Sequence, residues 1–349
     1  MSVNNRRPRA AIVGCSGLVL TDAERHLFER EQPVGFILFS RNVDSPAQVR
    51  ALVEEFRAVV GRADAPVLID QEGGRVRRLR PPHWYDSPPA AVFGALSVQA
   101  PALAVEAARL NARLIAADLA DLGIDVDCAP VLDVPAPGSH DIVGDRAYSA
   151  DPNGVIALGR ATHEGLLDGG VLPIIKHIPG HGRAFADSHL ELPVVTASLA
   201  ELRAFDFRPF QALADAPWAM TAHIVYQALD PDRPATCSRI VIESVIRGEI
   251  GFDGVLVSDD VSMKALTGPF GERTRAALDA GCDLVLHCNG DMDEMCAVLA
   301  AAPPLTDAAA LRLDRAAAQK RAVPLPLPDR TTAMAQLQGW LSTGRRETA

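Results

Sequence analysis

The sequence predicts a single (β/α)8 barrel, and three observations carry that prediction. Short apolar, β-branched runs alternate with amphipathic segments rich in alanine and leucine, the pattern of an α/β chain with a parallel sheet. The alternation repeats about eight times in 349 residues, a length usual for a closed barrel. Polar residues gather where the apolar runs stop. Asp70, Asp133, Lys176 with His177, His223, Asp259 and His287 all sit at or just past the C-terminal end of a strand candidate. Barrel enzymes build their sites at that end, whereas charges buried separately would each need a partner of their own. No GxGxxG follows the first strand and no P-loop is present, which disfavours a doubly wound nucleotide fold.

In order, residues 10–15 form the first strand, and 21–31 a helix with Thr21 or Asp22 as N-cap. Strand two is 35–39, followed by a helix at 45–60 with apolar residues at helical spacing. Strand three, 67–69, runs into Asp70-Gln71-Glu72-Gly73-Gly74-Arg75. One long helix covers 102–122 and stops at Gly123; strand four, 124–129, leads into Pro130-Val131-Leu132-Asp133. A helix at 152–167, stopped by Gly169-Gly170, precedes strand five at 171–175. Then come a helix at 199–213, strand six at 218–223, a helix at 238–248 capped by Ser238, and strand seven at 254–258. A helix at 272–280, strand eight at 283–287 and helices at 291–301 and 307–320 complete the pattern. The whole chain, 1–349, reads as one domain with a core of about 9–320. The tail 321–349 is peripheral, broken by Pro324-Leu325-Pro326-Leu327-Pro328.

Composition narrows the function. Hydrophobic residues at 48% and charged residues at 22% describe an ordinary globular protein. A net charge of −10 gives no electrostatic reason to bind nucleic acid or an anionic membrane, and 5% aromatics offer few stacking platforms. Six scattered cysteines, without CxxC or zinc-type spacing, read as reduced core residues. The N-terminus has basic side chains but no adequate apolar h-region or cleavage site, and no stretch approaches a membrane span. The expectation is a cytoplasmic protein.

The densest chemistry lies in 176–189, Lys-His-Ile-Pro-Gly-His-Gly-Arg-Ala-Phe-Ala-Asp-Ser-His, directly after strand five. Asp259 leaves strand seven at the barrel mouth, where a carboxylate can act as a nucleophile toward an electrophilic carbon. Asp260 reads as the cap of a following helix. His189, with Asp187 two residues before it, suits proton transfer, since an aspartate on one imidazole nitrogen fixes the tautomer and leaves the other to move a proton. Glu191 is a rival acid, and Gly180 and Gly182 would let the loop carry His189 over a pocket. Asp70, Arg78, Arg146, Lys176 and His177 supply acceptors and donors for sugar hydroxyls or an acyl-amide oxygen. Arg75, Arg78 and Arg146 have ordinary surface or loop-anchoring alternatives. His181 and His223 would support these groups, and His163 would be at the surface or satisfied in the core. A metal centre is disfavoured, with no H-x-H on the first strand and no HExxH.

Four linked motifs, Asp70-Gln71-Glu72-Gly73-Gly74-Arg75-Val76, Lys176-His177-Ile178-Pro179-Gly180-His181-Gly182, Ala186-Asp187-Ser188-His189 and Ser258-Asp259-Asp260-Val261-Ser262-Met263, occur in that order. Over residues 14–289 the chain resembles the bacterial β-N-acetylglucosaminidases of glycoside hydrolase family 3, of the cytoplasmic cell-wall-recycling type. The resemblance implies a barrel without the second domain that many members carry, and retaining hydrolysis through a glycosyl-aspartate. Asp259 would be the nucleophile and His189, paired with Asp187, the acid/base. Asp70, Arg78, Arg146, Lys176 and His177 would bind a terminal N-acetylglucosamine. The implied partners are small amino-sugar glycosides such as muropeptide fragments, with no cofactor, no metal and the chain a monomer. Where the family has phenylalanine and leucine, this chain has Ile178 and Val261, both apolar. A phosphorolytic variant, a non-catalytic sugar-binding protein and a metallohydrolase are the alternatives.

Overall fold

The structure, a computed structural model, describes residues 7–138, 143–184 and 192–343. Among these residues, eight parallel strands close into a barrel. They are β1 (Arg9–Val13), β2 (Pro33–Leu38), β3 (Val67–Ile69), β4 (Val126–Asp127), β5 (Leu172–Ile178), β6 (Trp218–Thr221), β7 (Val255–Asp260) and β8 (Leu284–His287). Each strand pairs with its sequence neighbours, and β1 pairs with β8 to shut the ring, Ala11 opposite Val285 and Val13 opposite His287. The expected barrel is thus the observed fold. The period of two along each strand sorts its side chains into two layers. Ile12, Leu68, Val126, Ile174, Val257 and Leu284 belong to one buried cluster. Their neighbours Ala11, Ile69, Ile175, Leu256 and Val285 belong to a second, shared with the helices outside.

The helices are α1 (Asp22–Glu31), α2 (Pro46–Val60), α3 (Ala90–Gln99), α4 (Pro101–Asp121), α5 (Pro152–Asp168), α6 (199–212), α7 (Ile240–Glu249), α8 (Phe270–Ala280), α9 (Met292–Ala301), α10 (Asp307–Gln319) and α11 (Arg330–Thr343). Thr21 caps α1 through a reciprocal pair, its hydroxyl accepting from Glu24 N at 3.2 Å while Glu24 accepts from Thr21 N at 2.7 Å. Ser238 Oγ accepts from Val241 N (3.1 Å) at the start of α7, which winds as a π-helix.

Two expectations need correction. The sequence pattern assigns no element just before the helix at 102, but α3 precedes α4 and meets it at Ala100. Its sequence, AAVFGALSVQ, is apolar on nearly every side, so no amphipathic stripe marks it. The helical pattern was expected to end at 320, yet α11 follows the proline run. It buries Leu337, and Arg330 forks onto Asp118 of α4, Nη2 to Oδ2 at 3.0 Å. Among the described residues, no helix is long and apolar enough to cross a membrane.

Candidate active site

Asp70 follows β3 at the C-terminal rim of the barrel, and the chain then doubles back. Gln71–Gly73 pairs antiparallel with Val76–Arg77, and Gly73 (φ 105°) and Gly74 (φ 56°) make the turn. A Cβ on Gly73 would lie 2.3 Å from the Pro88 carbonyl oxygen, so the hairpin needs glycine there for space as well as for φ. The Gln71 side chain pins the hairpin's base. Its amide donates to Leu79 O (3.0 Å), and its carbonyl accepts from Arg78 N (2.9 Å) and Leu79 N (3.1 Å). Asp70, Glu72 and Arg78 thereby reach one wall of a cavity of about 410 Å³. Lys176 and His177 reach it from β5, Asp259 and Asp260 from β7, and Arg146 from the short turn Gly144–Arg146. Phe39, Met220, Met263 and Leu286 supply apolar lining.

Six of the eight candidate residues, Asp70, Arg78, Arg146, Lys176, His177 and Asp259, therefore line one cavity. Asp187 and His189 lie outside the described residues, as does Glu191.

The wall is an ion-pair network. Lys176, 2% exposed, donates to Asp70 Oδ1 at 2.8 Å and lies 2.6 Å from Glu72 Oε1. Arg146 forks onto Glu72, both nitrogens at 2.8 Å. Arg78 bonds Asp70 Oδ2 at 2.9 Å, with its guanidinium 4.6 Å from the Phe39 ring centroid. Burial alone would raise both carboxyls. Instead, Lys176 and Arg78 hold Asp70 far below the usual range, and Arg146 and Lys176 hold Glu72 at about 2. Burial pulls Lys176 down, but Asp70 and Glu72 outweigh it and keep the ammonium charged. An ammonium has three N–H donors; one goes to Asp70 and the ion pair with Glu72 occupies at most a second, so at least one has no protein acceptor among the described residues. Two carboxylates against three cations leave a net positive wall in the cavity that Asp259 shares.

Asp133, fully buried, orients the histidines. His177 Nδ1 sits 2.7 Å from its Oδ2, and its Oδ1 accepts from His177 N (3.2 Å) and His181 N (2.6 Å). Burial would raise the Asp133 carboxyl, but His177 brings it to about 2. Nδ1 is thereby fixed as the donor, and Nε2 of His177 has no protein partner among the described residues. Burial, then His177, lowers His181 to about 4, so its ring is neutral at physiological pH.

Glu72 and Asp133 had no assigned role in the sequence. Glu72 carried a signal, since it stands two residues after Asp70 on an extended segment and so shares its face. Asp133 carried only its place after strand four. Asp260 does not cap a helix, because the next one starts at Phe270. Its carboxylate accepts from Ser262 N (2.9 Å), Ser262 Oγ (2.5 Å) and Cys288 N (3.1 Å), locking the turn after β7 onto β8. His223 lies behind it, Nε2 to Asp260 O at 3.0 Å and Nδ1 to Thr236 Oγ1 at 2.7 Å. His163 is neither at the surface nor satisfied: it is buried on α5, neither ring nitrogen has a partner among the described residues, and burial lowers it to about 4. Among the described residues, no three histidine, cysteine, aspartate or glutamate side chains converge to hold a metal.

Residues 15–319 match the glycosyl hydrolase family 3 N-terminal domain. A β-hexosaminidase of Thiobacillus denitrificans is 41% identical over 280 residues, 78% of this chain and 76% of that one. One of Alkalilimnicola ehrlichii is 42% identical over 282 residues, 80% of each chain. The crystal structure of NagZ from Neisseria gonorrhoeae in complex with N-trifluoroacetyl-D-glucosamine superposes with a TM-score of 0.86 at 31% identity, covering 97% of this chain and 100% of that one.

Proposed function

The chain belongs to glycoside hydrolase family 3, and we propose that it is a retaining, exo-acting β-N-acetylglucosaminidase. One observation carries this reading: Asp259, on a rigid strand end, shares one cavity with Asp70, Arg78, Arg146, Lys176 and His177. That set of fixed charges and donors suits a sugar ring bearing hydroxyls and an acetamido group. The relatives named β-hexosaminidase, and a structural neighbour holding an N-acylated glucosamine, point the same way.

In the first step Asp259 attacks the anomeric carbon while His189 protonates the departing oxygen, giving a glycosyl-aspartate. In the second, His189 takes a proton from water, which displaces Asp259 with a second inversion and so returns the β-anomer. Asp187 orients the His189 imidazole. Lys176, Asp70 and Arg78 hold ring hydroxyls, and Lys176 has an N–H to spare for this. Muropeptide fragments in peptidoglycan recycling are the proposed substrates, and the proposed form is a cytoplasmic monomer. Six cysteines without a disulfide support a reducing compartment.

The test is turnover of a chromogenic β-N-acetylglucosaminide, with the product followed by proton NMR at its first appearance. We expect free N-acetylglucosamine as the β-anomer, no acceleration by phosphate, and little activity on the matching β-glucoside. Initial α-anomer would overturn retention, sugar 1-phosphate would mark a phosphorylase, and binding without turnover would leave a sugar-binding protein.

A further inference from the structure

Asp127 ends β4, in register with Ile69 on the adjacent strand and so one residue short of Asp70. It is wholly buried. Oδ1 accepts from Gln71 N at 2.9 Å, while Oδ2, also shielded from solvent, has no hydrogen-bond partner among the described residues. The groups facing it are Asp70 beyond β3, Glu72 on the hairpin, Lys176 on β5, the neighbouring Cys128 thiol and the Tyr148 phenol. Lys176 bonds Asp70 and Glu72 and not Asp127. An ionised Asp127 would thus be a third carboxylate beside two others, without a cation in contact. In a site shielded from solvent that charge is far more costly than an unpaired hydroxyl.

We propose that Asp127 is a positioning residue of the sugar site, working as a neutral carboxylic acid that fixes Gln71 and, through it, the hairpin bearing Asp70, Glu72 and Arg78. The positioning half rests on the functional reading above; the neutral state does not. The linkage is short: Asp127 holds the Gln71 backbone, and the Gln71 side chain holds the backbone of Arg78 and Leu79. Burial raises the Asp127 carboxyl to about 7, so its proton is lost as pH rises through about 7. Once ionised, it repels Asp70 and Glu72 and draws on Lys176, and the hairpin's grip on the sugar weakens.

Asp127→Asn keeps an acceptor for Gln71 N and cannot ionise; Asp127→Ala removes the acceptor. Thermal unfolding of wild type and Asp127→Asn from pH 4 to 8.5 tests the charge state. An unfolded aspartate titrates near 3.9. Between that pH and about 7 the folded wild type keeps a proton that its unfolded chain releases, so it loses stability as pH rises. We expect Asp127→Asn to gain on wild type across this window, ending roughly 3 °C or more ahead at pH 8. A Tm difference independent of pH would overturn the neutral state, whether or not the protein is a glycosidase.

Kinetics on the chromogenic β-N-acetylglucosaminide test the positioning. The ratio of wild-type to Asp127→Asn KM should climb about three-fold or more above pH 7. Asp127→Ala should raise KM roughly ten-fold at pH 6 with kcat within about three-fold. KM unchanged in Asp127→Ala, or a flat KM ratio, would overturn the positioning role. An inactive wild type that also fails to bind N-acetylglucosamine in calorimetry would remove that role together with the sugar-site reading, and the unfolding data would still decide the charge.

Discussion

Asp259→Ala is expected to lower kcat on a chromogenic β-N-acetylglucosaminide by roughly 10³- to 10⁵-fold while leaving N-acetylglucosamine affinity within about three-fold. The split follows from geometry. β7 is buried through Ser258 and delivers Asp259 to the cavity as a strand side chain, with Oδ1 held by Asp260 N at 2.8 Å. The proposed sugar contacts come from β3, its hairpin, β5 and the turn at Arg146, so truncating Asp259 removes the bond-forming group and leaves the binding wall in place. Azide, small enough to occupy the vacated space, should restore part of the turnover and give an α-linked glycosyl azide by a single displacement. His189→Ala should behave differently. Protonation matters less as the leaving group becomes a weaker base, so the loss should be small for a dinitrophenolate and large for an alkyl or sugar leaving group. An Asp259→Ala enzyme keeping more than a tenth of wild-type kcat would place the nucleophile elsewhere.

The sequence was informative where chemistry and period coincide. Asp70, Lys176, His177 and Asp259 interrupt apolar runs at strand ends, and a closed barrel brings strand ends together whatever the helices do between them. It was uninformative where a role depends on a partner far along the chain. Glu72 matters through Arg146, 74 residues on, and Asp133 through His177, 44 residues on. Neither pairing leaves a local pattern. Asp127 looks like one more polar residue in a strand until its second oxygen proves buried and unpaired. Asp260 misled for the opposite reason: an aspartate near a turn resembles a helix cap, while its carboxylate is committed to Ser262 and Cys288. α3 shows the limit of periodicity itself, because a segment apolar nearly all round has no face to detect.

Lys176→Met should weaken N-acetylglucosamine binding by roughly 100-fold or more at pH 7.5 and lower stability by about 2–3 kcal/mol. Methionine approximates the lysine stem, so little cavity is opened, and the change is chiefly the loss of an ammonium at a site only 2% exposed. Arg78 still faces Asp70 and Arg146 still faces Glu72, which keeps the loss below that of a wholly uncompensated buried charge. The pH dependence of the stability loss identifies its origin. In the wild type Glu72 titrates at about 2 against an ordinary value near 4.3, so its contribution is complete above about 4.3 and disappears as pH falls toward 2. Without Lys176 both carboxyls move up and one can take a proton in mild acid, which relieves the repulsion between them. The Tm gap between wild type and Lys176→Met should accordingly be widest at pH 7–8 and narrow toward pH 5. Sugar binding should not recover with it, since no protonation of Asp70 or Glu72 replaces the third Nζ donor. A Tm gap constant from pH 5 to 8 would mean that Lys176 acts by packing alone. Affinity restored at pH 5 would mean that its charge, and not its free N–H, serves the sugar.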